Sequence, residues 1–255
     1  MNGSNRRMST LAALRPYIER ARDFSGWSHD HLAILRLDPA PPWDYEALAR
    51  AEVSNAERVL DLGTGGGEVL SRVIGGTSAR CIATEEWVVN APVARDRLAP
   101  MGVDVVRCDS LRLPLRRATF DLVLDRHEAL NPAEVARVLR PGGSVITQQV
   151  GPDNWPELRM FFPRKTHFGD HFSAYQRGFI EAGLTIDDAR WHEERVAYPE
   201  LGDVVYLLLV APWDVPDFDP AAEIDALLAL EDALRDDRGI VLTETRYLIR
   251  AHRPD

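Results

Sequence analysis

Between Arg58 and Val150 short apolar runs alternate with helical segments, and this rhythm restricts the fold more than any other feature of the chain. Arg58–Leu62, Arg80–Thr84, Val103–Cys108, Phe120–Asp125 and Ser144–Val150 each read as a buried strand. Between them, Glu68–Ile74, Val88–Leu98 and Pro132–Leu139 carry helical spacing, the last opened by proline at its first position. Parallel strands need long crossovers, and helices supply them. The pattern therefore predicts an α/β fold, a doubly wound, mostly parallel sheet with helices on both faces.

The flanks extend this core. Leu11–Arg22 reads as an amphipathic helix, Pro39–Pro42 as a break, and Asp44 as the N-cap of a helix through Val53. In the last third, His171–Ala182 is a helix closed by Gly183 and Thr185–Tyr198 a strand. Leu201–Val210 is compatible with strand or helix; its Gly-Asp start and Pro-Trp stop favour helix. Asp219–Asp236 is predicted as a helix ending before Gly239, and Val241–Ile249 as the final strand.

Composition narrows the class. The chain has 255 residues, and its longest apolar run, Val204–Pro212, is far short of the ~20 residues that cross a bilayer. The first ten residues hold two arginines but no apolar stretch after them, so no signal peptide is expected. Cys81 and Cys108, the two cysteines, sit in strand-like runs and read as reduced core residues, consistent with a cytoplasmic location. The net charge of −10, with no basic stripe, argues against a nucleic-acid partner.

The most specific stretch is Val59-Leu-Asp-Leu-Gly-Thr-Gly-Gly-Gly-Glu68. A strand entering glycines and then a helix lets the backbone approach a ligand closely, beyond the carboxyl end of the sheet. A dinucleotide fingerprint would place a third glycine where Glu68 stands. A carboxylate there repels a diphosphate but tolerates a cofactor bearing a sulfonium and an ammonium, and Asp61 adds negative charge.

This segment resembles motif I of the class I S-adenosylmethionine-dependent methyltransferases, and later segments follow that family's order. Thr84-Glu85-Glu86-Trp87 stands where the family places an acid for the ribose hydroxyls; Glu85 fits best and Glu86 is one position late. Cys108-Asp109-Ser110 stands where an acid binds the adenine amino group. Leu113-Pro114 with Phe120-Asp-Leu-Val, and Leu139-Arg-Pro-Gly-Gly143, resemble two further stretches of the methyltransferase type 11 subgroup, similar to ubiquinone/menaquinone-biosynthesis enzymes. The likeness spans roughly residues 54 to 150 and departs in its extra glycine. It implies a Rossmann-like seven-stranded sheet with its last strand antiparallel. It also implies an N-terminal helical cap (1–53), and a core (54–255) with a helical insertion at about 199–238. The implied cofactor is S-adenosyl-L-methionine, held by Asp61, Leu62, Gly63, Thr64, Gly65, Glu85, Glu86, Trp87, Asp109, Ser110 and Arg126.

Methyl transfer needs alignment and exclusion of water more than a fixed catalytic motif. An oxygen or nitrogen acceptor also has a proton to lose. Asp125-Arg-His-Glu128 follows the strand that borders the methyl group; His127 is the candidate base, with Glu128 as its orienting partner. The alternative is a His127 packed beneath a lid. Arg126 is a candidate for the cofactor carboxylate or a substrate anion. Gln148 and Gln149 point to opposite faces, so one is expected to face the substrate. His167 and His171 share a helical spacing, but no third metal ligand is evident. Trp191, Trp213 and Phe218 are candidates for an apolar acceptor pocket or for core. The expected acceptor is a small molecule and the expected state a monomer or homodimer. An RNA or protein methyltransferase, or a protein that binds the cofactor without using it, are the alternatives.

Overall fold

The computed structural model describes residues 3–255. In chain order its elements are α1 (Gly3–Arg22), β1 (Leu35–Arg36), α2 (Tyr45–Val53), β2 (Arg58–Leu62), α3 (Glu68–Val73), β3 (Arg80–Thr84), α4 (Asn90–Leu98), β4 (Asp104–Val106) and β5 (Phe120–Arg126). There follow α5 (Pro132–Val138), β6 (Leu139–Val150), α6 (His171–Glu181), β7 (Thr185–Tyr198), α7 (Leu201–Val210), α8 (Ile224–Leu234), β8 (Arg235–Asp236) and β9 (Gly239–His252). The local chemistry is as read: Asp44 accepts from the Ala47 amide, and Asn131 caps α5 ahead of Pro132.

One sheet runs β1-β7-β9-β6-β5-β2-β3-β4. The central pairs β2–β3, β2–β5, β3–β4 and β5–β6 are parallel, and β9 inserts antiparallel between β6 and β7. This is the expected doubly wound sheet with an antiparallel last strand. Two further strands were not foreseen: β1 and β8 are two residues each and pair with β7 and β9. Elements so short carry no periodicity to read.

One face of the sheet packs Val59, Leu122, Leu124, Ile146 and Leu248 against α2, α3 and α4. The other packs Leu60, Leu62, Val123, Val145 and Ile249 against α5 and α6. Burial on both faces is what parallel strands require. A third cluster joins Leu14 of α1 to Val204, Leu208, Leu227 and Leu230 of α7 and α8, which lie between β7 and β9. Gly202 lets α7 lie directly on the Tyr17 ring of α1.

Several boundaries differ from expectation: β4 is shorter and β9 longer than read, α4 starts two residues later, and three differences have a visible cause. α1 begins well before Leu11, because Arg6 and Arg7 reach Asp232 and Asp225 of α8 at 2.7 and 2.5 Å. α8 begins only at Ile224: Asp219 takes the Ala221 amide at 2.9 Å, making a turn instead of a first helical turn. β6 begins at Leu139 and absorbs the Pro-Gly-Gly turn, where the sequence favoured helix through Leu139.

Candidate functional site

β2 delivers Asp61 and Leu62 to the carboxyl edge of the sheet, and the chain then turns through Gly63, Thr64 and Gly65 before α3. Gly63 and Gly65 have φ of 57° and 63°, a region costly for any residue with a Cβ. A Cβ on Gly63 would collide with the Glu128 side chain, and one on Gly65 would lie 2.9 Å from Trp27. The Thr64 amide donates to the Thr84 carbonyl at 2.8 Å and the Gly63 amide to its hydroxyl at 3.2 Å, which fixes the loop on β3.

Glu85, at the end of β3, closes the arrangement. Its carboxylate accepts the Gly65 amide at 2.7 Å and the Trp87 amide at 2.8 Å. Each oxygen uses one lone pair, so two acceptor positions remain. Glu86 and Trp87 are exposed, with the Glu86 carbonyl held by Arg107. Asp109 is exposed and binds the Leu111 amide through one oxygen at 2.7 Å, while the Ser110 hydroxyl is buried with no partner.

Carboxylates accumulate here with little to balance them. Burial, reinforced by the charge of Glu85, pushes Asp61 up to about 7. Burial, then Glu85 and Glu86, pushes Glu128 up to about 7. Asp125 is fully buried and pushed well above the carboxylate range; it accepts from Thr147 at 3.0 Å and from Gln149, and its second oxygen has no partner. Burial raises Glu85 too, opposed by its two amides. Such groups are stabilised by a cation.

The segment before β1 lies over the loop. The Gly26 amide donates to Asn90 at 2.7 Å and the Trp27 amide to Glu68 at 3.3 Å. Phe24, Trp27, His29, Trp87, Tyr206 and Trp213 form one aromatic cluster above it. Nothing in the sequence singled out Gly26 or Asn90; their pairing spans 64 positions and exists only in the fold.

β5 ends in Arg126, and His127 follows with φ of 67°. His127 does not contact Glu128 as expected. Its Nε2 lies 3.2 Å from the Gln148 amide nitrogen, while the Gln148 oxygen accepts from the Trp43 indole at 2.7 Å. An indole N–H only donates, so it fixes which end of the amide faces His127. The imidazole Nε2 is therefore an acceptor and the hydrogen sits on Nδ1. Burial, then Arg126 and Arg246, holds His127 well below 6.5. In this arrangement the accepting nitrogen of His127 is engaged by Gln148, and burial disfavours the imidazolium. Gln149 faces the other way and bonds Asp125, Thr147 and the Glu128 carbonyl, so the two glutamines do diverge.

The remaining candidates lie apart. His167 contacts Arg159, and no metal-binding cluster occurs among the described residues. Phe218 packs on Phe162 in the core, Trp191 stacks on Tyr247 of β9, and Trp213 joins the aromatic cluster. Cys81 and Cys108 are free thiols.

Residues 60–147 match the family described as "Methyltransferase domain". This part of the chain is a class I S-adenosylmethionine-dependent methyltransferase domain of the type 11 group. This methyltransferase is 26% identical to a malonyl-[acyl-carrier protein] O-methyltransferase of Marinomonas sp., over 82% of this chain and 84% of that one. It is 27% identical to a ubiquinone/menaquinone biosynthesis C-methyltransferase of Desulfotalea psychrophila, over 58% of this chain and 63% of that one. A solved structure from Deinococcus radiodurans R1 shares the fold with a TM-score of 0.63 at 20% identity, covering 94% of this chain and 99% of that one.

The methyltransferase's cofactor is S-adenosylmethionine, and the residues present fit it. The left-handed glycine loop admits close backbone approach, the raised carboxylates call for a cation, and Ser110 offers an orphaned hydroxyl. The Glu128 and Trp27 side chains pack directly onto Gly63 and Gly65.

Proposed function

We propose that this methyltransferase acts on a small-molecule acceptor by in-line displacement. The observation that carries the reading is the convergence of Asp61, Glu85 and Glu128 on a left-handed glycine loop. When bound, S-adenosylmethionine supplies a methyl group already activated on a positively charged sulfur. The chain's task is to hold, align and dehydrate. Asp61 and Glu128 provide the negative field at the loop. Glu85 offers its two spare acceptor positions to a ribose diol. Asp109, Ser110, Glu86 and Trp87 flank the adenine side, and the peptide chain of Leu62–Gly65 forms the floor. Arg126 lies on the acceptor side.

His127 acts as a neutral, oriented N–H donor. Glu128, with a pKa near neutrality, takes the acceptor's proton where one is lost. The cap (1–53) and the insertion at about 199–238 form one lid, since α1 packs on α7 and α8 and the aromatic cluster joins Trp27 to Tyr206 and Trp213. A lid this close to the loop suits a small acceptor better than a polymer, and both curated relatives carry names of enzymes acting in small-molecule or acyl-carrier chemistry. The net charge of −10 points away from RNA.

The test is transfer of isotopically labelled methyl from S-adenosylmethionine into a cell extract separated into small-molecule, RNA and protein fractions. Label in the small-molecule fraction supports the proposal. Label in RNA or protein alone rejects the small-molecule acceptor. Tight S-adenosylhomocysteine binding without transfer to any fraction rejects the catalytic assignment.

A further inference from the structure

The acceptor side of the sheet holds a cluster of cationic and donor groups that the cofactor's chemistry does not use. Arg126 is largely buried. It shares the sheet face of Asp61 and Leu124, being two residues past Leu124 on the same strand. No carboxylate among the described residues comes within 4.0 Å of its guanidinium, and it makes no side-chain hydrogen bond there. Arg126 pairs in register with Gln148, and Gln148 with Leu248, two residues past Arg246 on β9, so both arginines stand on one sheet face, two strands apart. Burial lowers the Arg126 pKa, Tyr45 opposes this, and Arg246 lowers it further. His127 and His29 feel the same positive field. Burial, then His31 and Arg126, brings His29 to about 4, and its Nδ1 is buried with no partner.

A largely buried guanidinium that bonds no acceptor is costly to fold around, so its retention asks for a ligand. The charge count states which kind. Of the two guanidinia, Arg246 is already paired with Glu244 at 2.7 Å, whereas Arg126 bonds no carboxylate among the described residues, so one of them is free to take an anion. Tyr45, Asp61 and Glu46 lie near enough to influence Arg126 without bonding it. A single negative charge fits better than a phosphate dianion.

Position states whose anion it is. β5 and β6 separate β2 from β9, three strand spacings of ~4.8 Å each, so Arg246 stands ~14 Å across the sheet from the glycine loop. The methionyl group of a cofactor seated on that loop does not extend so far. We propose that the acceptor carries a carboxylate, held between Arg126 and Arg246 with His29 and His127 as donors. This deepens the small-molecule reading above and rests on it.

The experiment uses the full chain saturated with S-adenosylhomocysteine and isotopically labelled at histidine. Sodium formate is titrated against sodium chloride at equal ionic strength, and the ring signals of His127 and His29 are followed by NMR. Formate is small enough to report on the anion site whatever the rest of the acceptor looks like. The wild-type signals are expected to shift saturably with formate and not with chloride. Arg126→Gln should abolish the shift, Arg246→Gln should weaken formate about tenfold, and Arg126→Lys should restore part of it. S-adenosylhomocysteine affinity, by calorimetry, should be unchanged in Arg246→Gln. No saturable shift in the wild type, or one that survives Arg126→Gln, overturns the proposal. So does a loss of S-adenosylhomocysteine affinity in Arg126→Gln with 5′-methylthioadenosine binding intact, which would give the arginine to the cofactor's own carboxylate. Failure of the wild type to bind S-adenosylhomocysteine at all would instead reject the cofactor site, and is read separately in the same calorimeter.

Discussion

The Trp43 indole donates to the Gln148 side-chain oxygen at 2.7 Å, and through that one bond it sets the tautomer of His127. The opposite end of the same amide faces the imidazole Nε2, which must then accept. Trp43→Phe removes the donor and leaves the amide free to turn over. We expect the His127 nitrogen shifts to report a mixture of tautomers, and turnover to fall severalfold with cofactor affinity unchanged. An unaltered Nδ1–H tautomer in Trp43→Phe would show that the indole does not control it.

Glu85 serves the loop and, in our reading, the ribose together. Glu85→Ala leaves the Gly65 and Trp87 amides without their acceptor and removes the ribose contacts. Charge-assisted hydrogen bonds contribute roughly 1.5–3 kcal/mol. S-adenosylhomocysteine affinity should therefore fall about tenfold to a hundredfold by calorimetry, with a lower melting temperature. Glu85→Gln keeps one acceptor oxygen and should lose less of both. Asp109→Ala, exposed and singly bonded, should weaken the cofactor without lowering the melting temperature. Equal effects in all three variants would contradict the division of labour.

Asp61 and Glu128 are both raised to about 7 in the folded chain, from 3.8 and 4.5. An acid whose folded pKa lies above its unfolded one binds more protons when folded. Its stabilising contribution is full below about 4 and is lost as pH rises through about 7. Without cofactor, stability should fall across that window, and Asp61→Asn should remove part of the fall, on the order of 1–3 kcal/mol at pH 8. A bound cation reverses the preference, so S-adenosylmethionine should bind more tightly from pH 6 to 8 with release of protons. Calorimetry in buffers of different ionisation enthalpy measures that release; proton uptake would refute the assignment. Glu128→Gln should depress turnover more than cofactor affinity, and should remove the limb of the pH–rate profile near 7.

Gly65→Ala meets two penalties, a left-handed backbone and the Trp27 side chain at 2.9 Å. Gly76→Ala meets only the first: its φ is 82° with nothing within 4 Å. Left-handed strain alone costs about 1–2 kcal/mol. Denaturant titration should show Gly65→Ala as the more destabilising, with cofactor binding lost in that variant alone. Comparable losses of stability in the two would mean the Trp27 contact yields at no cost.

Much of the fold was legible in the chain because its causes are local. Alternating apolar runs, Asp44 as a cap, Pro132 at a helix start and Gly183 at a helix end each act within a few residues, and the structure follows them closely. The glycine loop and the carboxylates after β3 and β4 were likewise visible, since the ends of parallel strands meet on one edge. Tertiary structure decided what lies across that edge. Gly26 meets Asn90, Trp43 meets Gln148, and Arg126 shares a sheet face with Arg246, over separations of 64, 105 and some 120 residues. Pairing over such distances depends on which face each strand presents and on where β9 inserts, and no local propensity encodes either. The charge state of His127, Asp61 and Glu128 belongs to the same class, because burial sets it and burial exists only once the chain has folded.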